Sequence, residues 1–393
     1  MSNSLPTYLI GTKKGGFALR PDGDASTYRV EGPFKLGSPV HDFRADPRDG
    51  RTLLMTAGGS ATHLGPTIMR SVDGGATWTE TSGPPKFDPV ANEGDEPWAD
   101  GTTRGLAVKS NFWLQPGHAS EPGAWYCGTV PQGLFRSEDH GDTWTGVNGF
   151  NHNPQVGEWT FKATEVPDGP FMHSILVDPR DADHLFLSMS VGGTFESTDK
   201  GATWTPRNEN VFVAFGPESY PEFGQDPHQM IQHPADPDVY YQQNHCGFYV
   251  LDRRDRPENN RWERVGDNLP EEIGDIGFGV APHPTQADTV WNFPMDGTDV
   301  WPRTSPGAKP ACYRTDDAGR TWRRQDNGLP AEHAYWTVRR QCFSPCGDER
   351  EAGVVFGTTN GQVWRGLDGG ERFVKLADHL PLIQSVRVAH LDG

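Results

Sequence analysis

One eight-residue pattern limits the folds open to this chain more than any other feature. Ser71-Val72-Asp73-Gly74-Gly75-Ala76-Thr77-Trp78 recurs at Ser137–Trp144, at Ser197–Trp204 and, with Thr in the first place, at Thr315–Trp322. A fifth copy, Gly366–Phe373, lacks the Thr-Trp pair. The shared pattern is S-x-D-x-G-x-T-W. Its Asp caps a tight turn through its own backbone. Its Gly takes the positive φ that a β-carbon resists. Thr opens the next strand, and Trp packs under the turn. Each copy therefore predicts a hairpin turn with its own anchor. Recurrence at a spacing of roughly 50–65 residues predicts a repeat fold.

The residues between copies share one grammar. An apolar strand ends at a Pro turn (His41 to Asp46, then Pro47) and a second strand follows (Thr52 to Ala57). A loop and a third strand lead into the Asp turn, and a fourth strand starts at Thr-Trp. That is a four-stranded antiparallel meander, one blade of a β-propeller. Inner strands are expected at 41–46, 104–109, 173–178, 228–233, 278–283 and 339–344. The C-terminal run Ser385–Leu391 reads as an inner strand with nothing after it. Tyr8–Thr12 reads as a second strand with nothing before it. The two ends complete each other, so a seventh blade is expected from 1–37 and 383–393. The expectation is a single all-β, seven-bladed propeller over 1–393. Its ring is closed by the C-terminal strand, which removes open sheet edges. The Asp turn is degenerate in blades 4 (252–255) and 7 (22–24).

The 47 Gly, 34 Pro and 13 Trp suit short strands joined by many turns, and no sustained helical periodicity is visible. The formal charge of −18 argues against nucleic acid or an anionic membrane as partner. No apolar run approaches the ~20 residues of a membrane helix. Met1–Pro6 lacks a basic, then apolar, leader, so a cytoplasmic protein without a signal peptide is expected. Five cysteines fit neither a disulfide nor a zinc framework, and Cys342 and Cys346 read as buried or loop thiols.

The longer loops, 83–101, 148–171, 208–227 and 294–310, are expected on one face, opposite the Asp turns, which marks that face for binding. Counting back from the Pro turns puts His41, Arg104, His173, His228, Phe278, Arg339 and Arg387 around the channel mouth on that face, with Arg340 competing with Arg339. Charge in a closed channel needs a partner. Either loop acids (Glu96, Glu165, Glu218, Glu222, Asp226) pair these arginines, or Arg104, Arg339 and Arg387, with His41, Gln243 and Asn244, bind a small carboxylate, the arginines through their forks. The densest constellation is His228 with Gln243-Asn244-His245-Cys246, beside His173 on the next blade. His173, His228 and His245, with Gln243 and Asn244 at hand, are candidate ligands for one divalent ion (Mn, Zn or Ca). The same three histidines are candidate catalytic bases without a metal. Hydrogen bonding of strand-end histidines to loop carbonyls is the structural alternative. Lys13 and Lys14 add positive charge at a turn on the same face. Asp296 and Asp299 are further acids, and His140 belongs on the far face. Trp98, Trp159 and Phe161 are candidate exposed aromatics for a protein partner.

The four Asp turns and the strand grammar resemble the BNR/Asp-box propellers. These include sialidases, other exo-acting glycosidases, sortilin-type receptors and a photosystem assembly factor. The chain as a whole resembles the bacterial sialidase-like, BNR-repeat glycosyl hydrolase group. The resemblance implies a propeller enzyme, most simply a hydrolase, acting on a small acidic sugar or other carboxylate. A sialidase carries an arginine triad, which Arg104, Arg339 and Arg387 imitate. It also carries an Arg-Ile-Pro stretch, absent here, and a Tyr–Glu pair, for which Tyr335 with Glu165 or Glu222 stands nearest. By architecture alone, the histidine cluster with Gln243 is similar to that of seven-bladed uronate lyases that bind a divalent metal, which implies a metal-dependent lyase or hydrolase. A non-catalytic binding or assembly propeller is the third class.

Overall fold

The computed structural model describes residues 5–59, 65–88, 107–160, 171–297, 303–347 and 351–391. These residues form seven four-stranded antiparallel sheets, six of them built from strands consecutive in the chain. Blades 1 to 6 occupy 43–80, 110–146, 172–206, 227–264, 277–325 and 343–377. Blade 7 joins Ile383–Ala389 to Thr7–Thr12, Gly15–Pro21 and Tyr28–Phe34. The closing strand pairs antiparallel with the N-terminal one from Thr7↔Ala389 to Gly11↔Ser385.

The repeated turns close alike. Asp73 accepts the Thr77 amide at 2.9 Å and the Thr77 hydroxyl at 2.6 Å, while Ser71 Oγ accepts the Gly75 amide at 2.9 Å. Asp139, Asp199 and Asp317 repeat both carboxylate contacts. The residue ahead of each conserved glycine also has positive φ (Gly74 +71°, His140 +59°, Lys200 +58°, Ala318 +57°). The turn thus spends two left-handed residues, stabilised by the Asp and Ser side chains.

The motif tryptophan does more than sit under its own turn. Trp144 and Trp204 each donate Nε1–H to their turn's glycine carbonyl at 3.1 Å. The rings themselves pack on the preceding blade. Trp78 lies against Phe34, Trp204 meets Phe150 edge-on at 5.9 Å, and Trp322 meets Phe248 edge-on at 5.3 Å. The cores likewise run across seams. Tyr8 and Ile10 of blade 7 share one cluster with Val354 and Phe356 of blade 6 and Trp291 and Phe293 of blade 5. All five cysteines are buried free thiols.

Three inner strands differ from expectation. In blade 6 the strand is Phe343–Cys346, not 339–344, and Arg340–Cys342 form a 3-10 turn ahead of it. Blade 2 begins at Ser110–Pro116, not at 104–109, and Arg104 lies outside the described residues. The Pro rule holds there too, since five residues back from Gln115, the residue before Pro116, is Ser110. In blade 7 the strand is Ile383–Ala389, so Gln384, not Arg387, stands at the mouth. Inner strands also carry register breaks near their starts, between Asn111 and Trp113, His173 and Leu176, Pro227 and Gln229, and Gly277 and Val280. Such bulges re-aim side chains and defeat counting by twos.

Trp204 is 7 % exposed at the seam between blades 2 and 3. Trp204→Ala should lower unfolding stability by about 3–5 kcal/mol. A urea midpoint unchanged from the parent would show that the ring does not staple the blades.

Candidate functional site

The inner strands' first residues and the loops above them enclose a cavity of about 600 Å³ at one end of the channel. His41, Phe112, Phe278, Arg303, Arg339, Arg340, Gln384 and Lys13 contribute to its wall. Arg340 is central. Its guanidinium faces Phe112, Phe171 and Phe278 at 5.8, 5.2 and 5.7 Å, three ring faces that favour the cation electrostatically. Nη1 donates to Ser190 Oγ at 2.9 Å, and that hydroxyl lies 3.5 Å from His173 Nε2. The arginine is thereby fixed in orientation while its charge stays beside the cavity.

A second group lies beside this wall. Asp226, His228 and His245 place one ligand atom each within 4.8 Å of one another. Asp226 Oδ2 is 3.5 Å from both His228 Nε2 and His245 Nδ1. His228 Nδ1 donates to the Gly277 carbonyl at 2.6 Å, which fixes the ring's orientation. The His228 ring also lies 4.6 Å from that of Phe278. Arg303 Nη2 stands 3.4 Å from His245 Nε2, linking the cluster to the cavity. Burial disfavours the charged form of His245, and the charge of His228 adds to this, lowering its pKa to about 4. Burial works against the Asp226 carboxylate, but the contact with His228 and the charge of Arg340 outweigh it and hold the group ionised.

The predicted residues divide accordingly. His228 and His245 meet, and Asp226, considered from sequence only as an arginine partner, completes the trio. His173 is fully buried and stands outside it, its Nδ1 2.9 Å from Ser174 Oγ. Burial, then the charge of Arg340, pushes its pKa well down. His41 and Arg339 line the cavity. Arg387 does not. It lies three residues beyond Gln384 along the strand, about 10 Å at the usual rise. There it lines the opposite end of the channel and pairs with Asp42 at 2.8 Å. The expected arginine triad is therefore not assembled at the mouth. Gln243 and Asn244 are buried and engaged locally. Gln243 Nε2 reaches the Asp275 carbonyl at 2.8 Å, and Asn244 bonds Gln242 and the Cys246 amide. Asp296 is occupied by the amide and hydroxyl of Thr304. Trp159 is core, 4.3 Å from Phe195, while Trp98, Phe161 and Asp299 lie outside the described residues. Counting missed Arg303 and Phe112. The Asp226-Pro227-His228 run was the available signal for the acid, because Pro227 opens the inner strand and holds both neighbours at its lip.

Folded-state histidines that resist protonation set a pH response. The pKa of His233 is lowered to about 4 by burial, although the Thr289 carbonyl partly offsets this. Unfolded, it takes a proton near 6.5. Stability is therefore full above that value and declines as pH falls towards 4. His233→Gln should reduce the stability lost between pH 7 and pH 5 by about 1–2 kcal/mol. Equal losses in parent and variant, followed by urea unfolding, would remove this assignment.

No family profile matches the chain, and no curated protein matches it at a significant level. Solved structures share its fold. The GH74 xyloglucanase from Xanthomonas campestris aligns over 95 % of this chain and 52 % of its own, at 18 % identity and a TM-score of 0.61. The periplasmic gluconolactonase PpgL of Pseudomonas aeruginosa aligns over 99 % and 100 %, at 14 % identity and 0.57. YCF48 bound to D1 peptide aligns over 100 % and 98 %, at 11 % identity and 0.50. The chain spans 38 %, 52 % and 52 % of the three GH74 chains it resembles. At these identities the likeness establishes the propeller fold alone.

Proposed function

We propose that the loop-rich mouth is the site of a hydrolase for a small acidic sugar or other carboxylate, and that Asp226, His228 and His245 hold one divalent cation there. The observation behind this reading is the convergence of one ionised carboxylate and two imidazoles beside a cavity bordered by Arg303, Arg339, Arg340 and Lys13. Two nitrogens and one carboxylate oxygen suit zinc or manganese better than calcium, which prefers oxygen ligands throughout. His228 is prepared for such a role by the Gly277 carbonyl behind it. His245, kept neutral by burial, offers a lone pair at neutral pH. A cation there would polarise a substrate oxygen and lower the pKa of a bound water.

The chain's own groups provide binding and orientation. Arg340 presents a permanent charge pinned by three phenyl faces and by Ser190, a preorganised fork for a carboxylate. Arg303 bridges that anion site and the imidazoles, so a substrate held by its carboxylate would set its neighbouring bond beside His245. Two of the three neighbours, the xyloglucanase and the gluconolactonase, are hydrolases, which agrees with this reading.

A second reading rests on Phe215, Tyr220 and Tyr335, which are 39 %, 60 % and 71 % exposed. Tyr335 lines the mouth and Phe215 packs edge-on against His245. A rim of that kind suits a peptide, and the neighbour YCF48 binds one.

Two measurements separate the readings. Metal-stripped protein titrated with zinc or manganese should bind one equivalent, and His228→Ala should weaken it about 100-fold or more. Galacturonate should bind the parent, and Arg340→Met should weaken it about 10- to 100-fold, the worth of a charge-assisted fork. Absence of metal uptake together with galacturonate binding indifferent to Arg340→Met would overturn the proposal and favour a peptide-binding rim.

A further inference from the structure

The far end of the channel carries charge that the proposed site does not use. Asp42, fully buried at the lip of blade 1, accepts Arg387 Nε at 2.8 Å and Arg44 Nε at 3.1 Å. It also takes the amides of Phe43 and Leu114 at 3.1 and 3.0 Å, and Arg387 Nη2 at 3.3 Å. Its acceptor capacity is then filled. Two guanidinium groups thus share one carboxylate, leaving one positive charge in excess. Both guanidinium groups lie over the same ring, Trp113, at 4.9 and 4.8 Å, which fixes their planes.

Around them is a cavity of about 460 Å³ with Gln115, His118 and Ser344 in its wall and no carboxylate among its lining residues. The nearby acids are taken, Asp46 by Arg48 at 2.6 Å and Asp178 by Arg180 at 2.9 Å. Gln115 is engaged by Arg44 Nη1 at 2.9 Å, and Ser344 donates to the Val386 carbonyl at 2.8 Å. Among the described residues no hydrogen-bond partner engages Arg44 Nη2 or Arg387 Nη1. Burial, then repulsion from Arg387, lowers the Arg44 pKa to about 10, so the excess charge persists at neutral pH. A largely buried cation pair with spare donors and a single counter-ion shared between the two is a receptor for an anion. The chain's net charge of −18 makes this local reversal site-specific rather than general.

We propose that this second channel mouth binds a small oxyanion, a phosphate or a carboxylate, between Arg44 and Arg387. The proposal is independent of the metal cluster and of the mouth above it.

Calorimetric titration at constant ionic strength tests it, with inorganic phosphate in one arm and acetate in the other. Arg340→Met serves as parent so that the upper mouth does not contribute. One site should remain, and adding Arg44→Met should weaken it about tenfold or more, the worth of a charge-assisted contact. Arg44→Met leaves Asp42 and Arg387 as a balanced pair, and circular dichroism checks that it folds. Arg44→Lys, which keeps charge but loses the fork, should fall between the two. Binding of either anion with this ranking supports the site, and the tighter arm identifies its chemistry. Failure of both anions to bind, or affinities indifferent to position 44, would overturn it.

Discussion

The Asp42–Arg387 pair is the interaction on which the ring depends. Arg387 belongs to the closing strand of blade 7 and Asp42 leads into blade 1, so a buried ion pair crosses the junction where the two ends of the described chain meet. Removing Asp42 would leave the buried Arg387 and Arg44 charges without a counterpart, at a cost of about 3–5 kcal/mol. The backbone ladder from Thr7↔Ala389 to Gly11↔Ser385 supplies register, and the ion pair ties blade 7 to the next blade. With the ring closed, the strand starts share one axis, and residues as distant as His41, Phe278 and Arg340 border one cavity.

Much of this architecture was legible in the sequence because its turns are chemically demanding. Few residue combinations place two consecutive left-handed residues in a tight turn, and S-x-D-x-G-x-T-W is one of them. The Pro near the end of an inner strand was informative too, but it was not applied at Pro116, and in blade 6 Pro345 lies inside the strand Phe343–Cys346, so counting back to Arg339 overran its start. The identity of the channel-facing residues was less accessible. A strand lets side chains be assigned by parity only while it is regular, and five inner strands break register within their first residues. Ser174, with φ of +49°, stands at one such break immediately after His173. That histidine is buried against Ser174 and Ser190 instead of joining His228 and His245.

The two mouths use similar residues to different ends. At one, a single arginine is surrounded by phenyl rings and a hydroxyl, with an anionic cluster of Asp226 and two imidazoles close by. At the other, two arginines share one acid over one tryptophan. Aromatic faces lie against the guanidinium groups in both places. They favour the cation without neutralising it, so positive potential is retained inside an acidic shell. That arrangement lets a chain of net charge −18 carry arginine side chains at its axis.

The motif tryptophans, each lodged against the preceding blade, also bear on where the polypeptide needs to be continuous. Every seam between blades is held by side chains, and blade 7 is assembled from segments that are hundreds of positions apart in the chain. Thr7 and Ala389 are direct neighbours across a ladder, close enough for a short peptide bridge. A circularly permuted chain, joined there and opened at one of the exposed Asp turns, would keep every seam and both channel mouths intact.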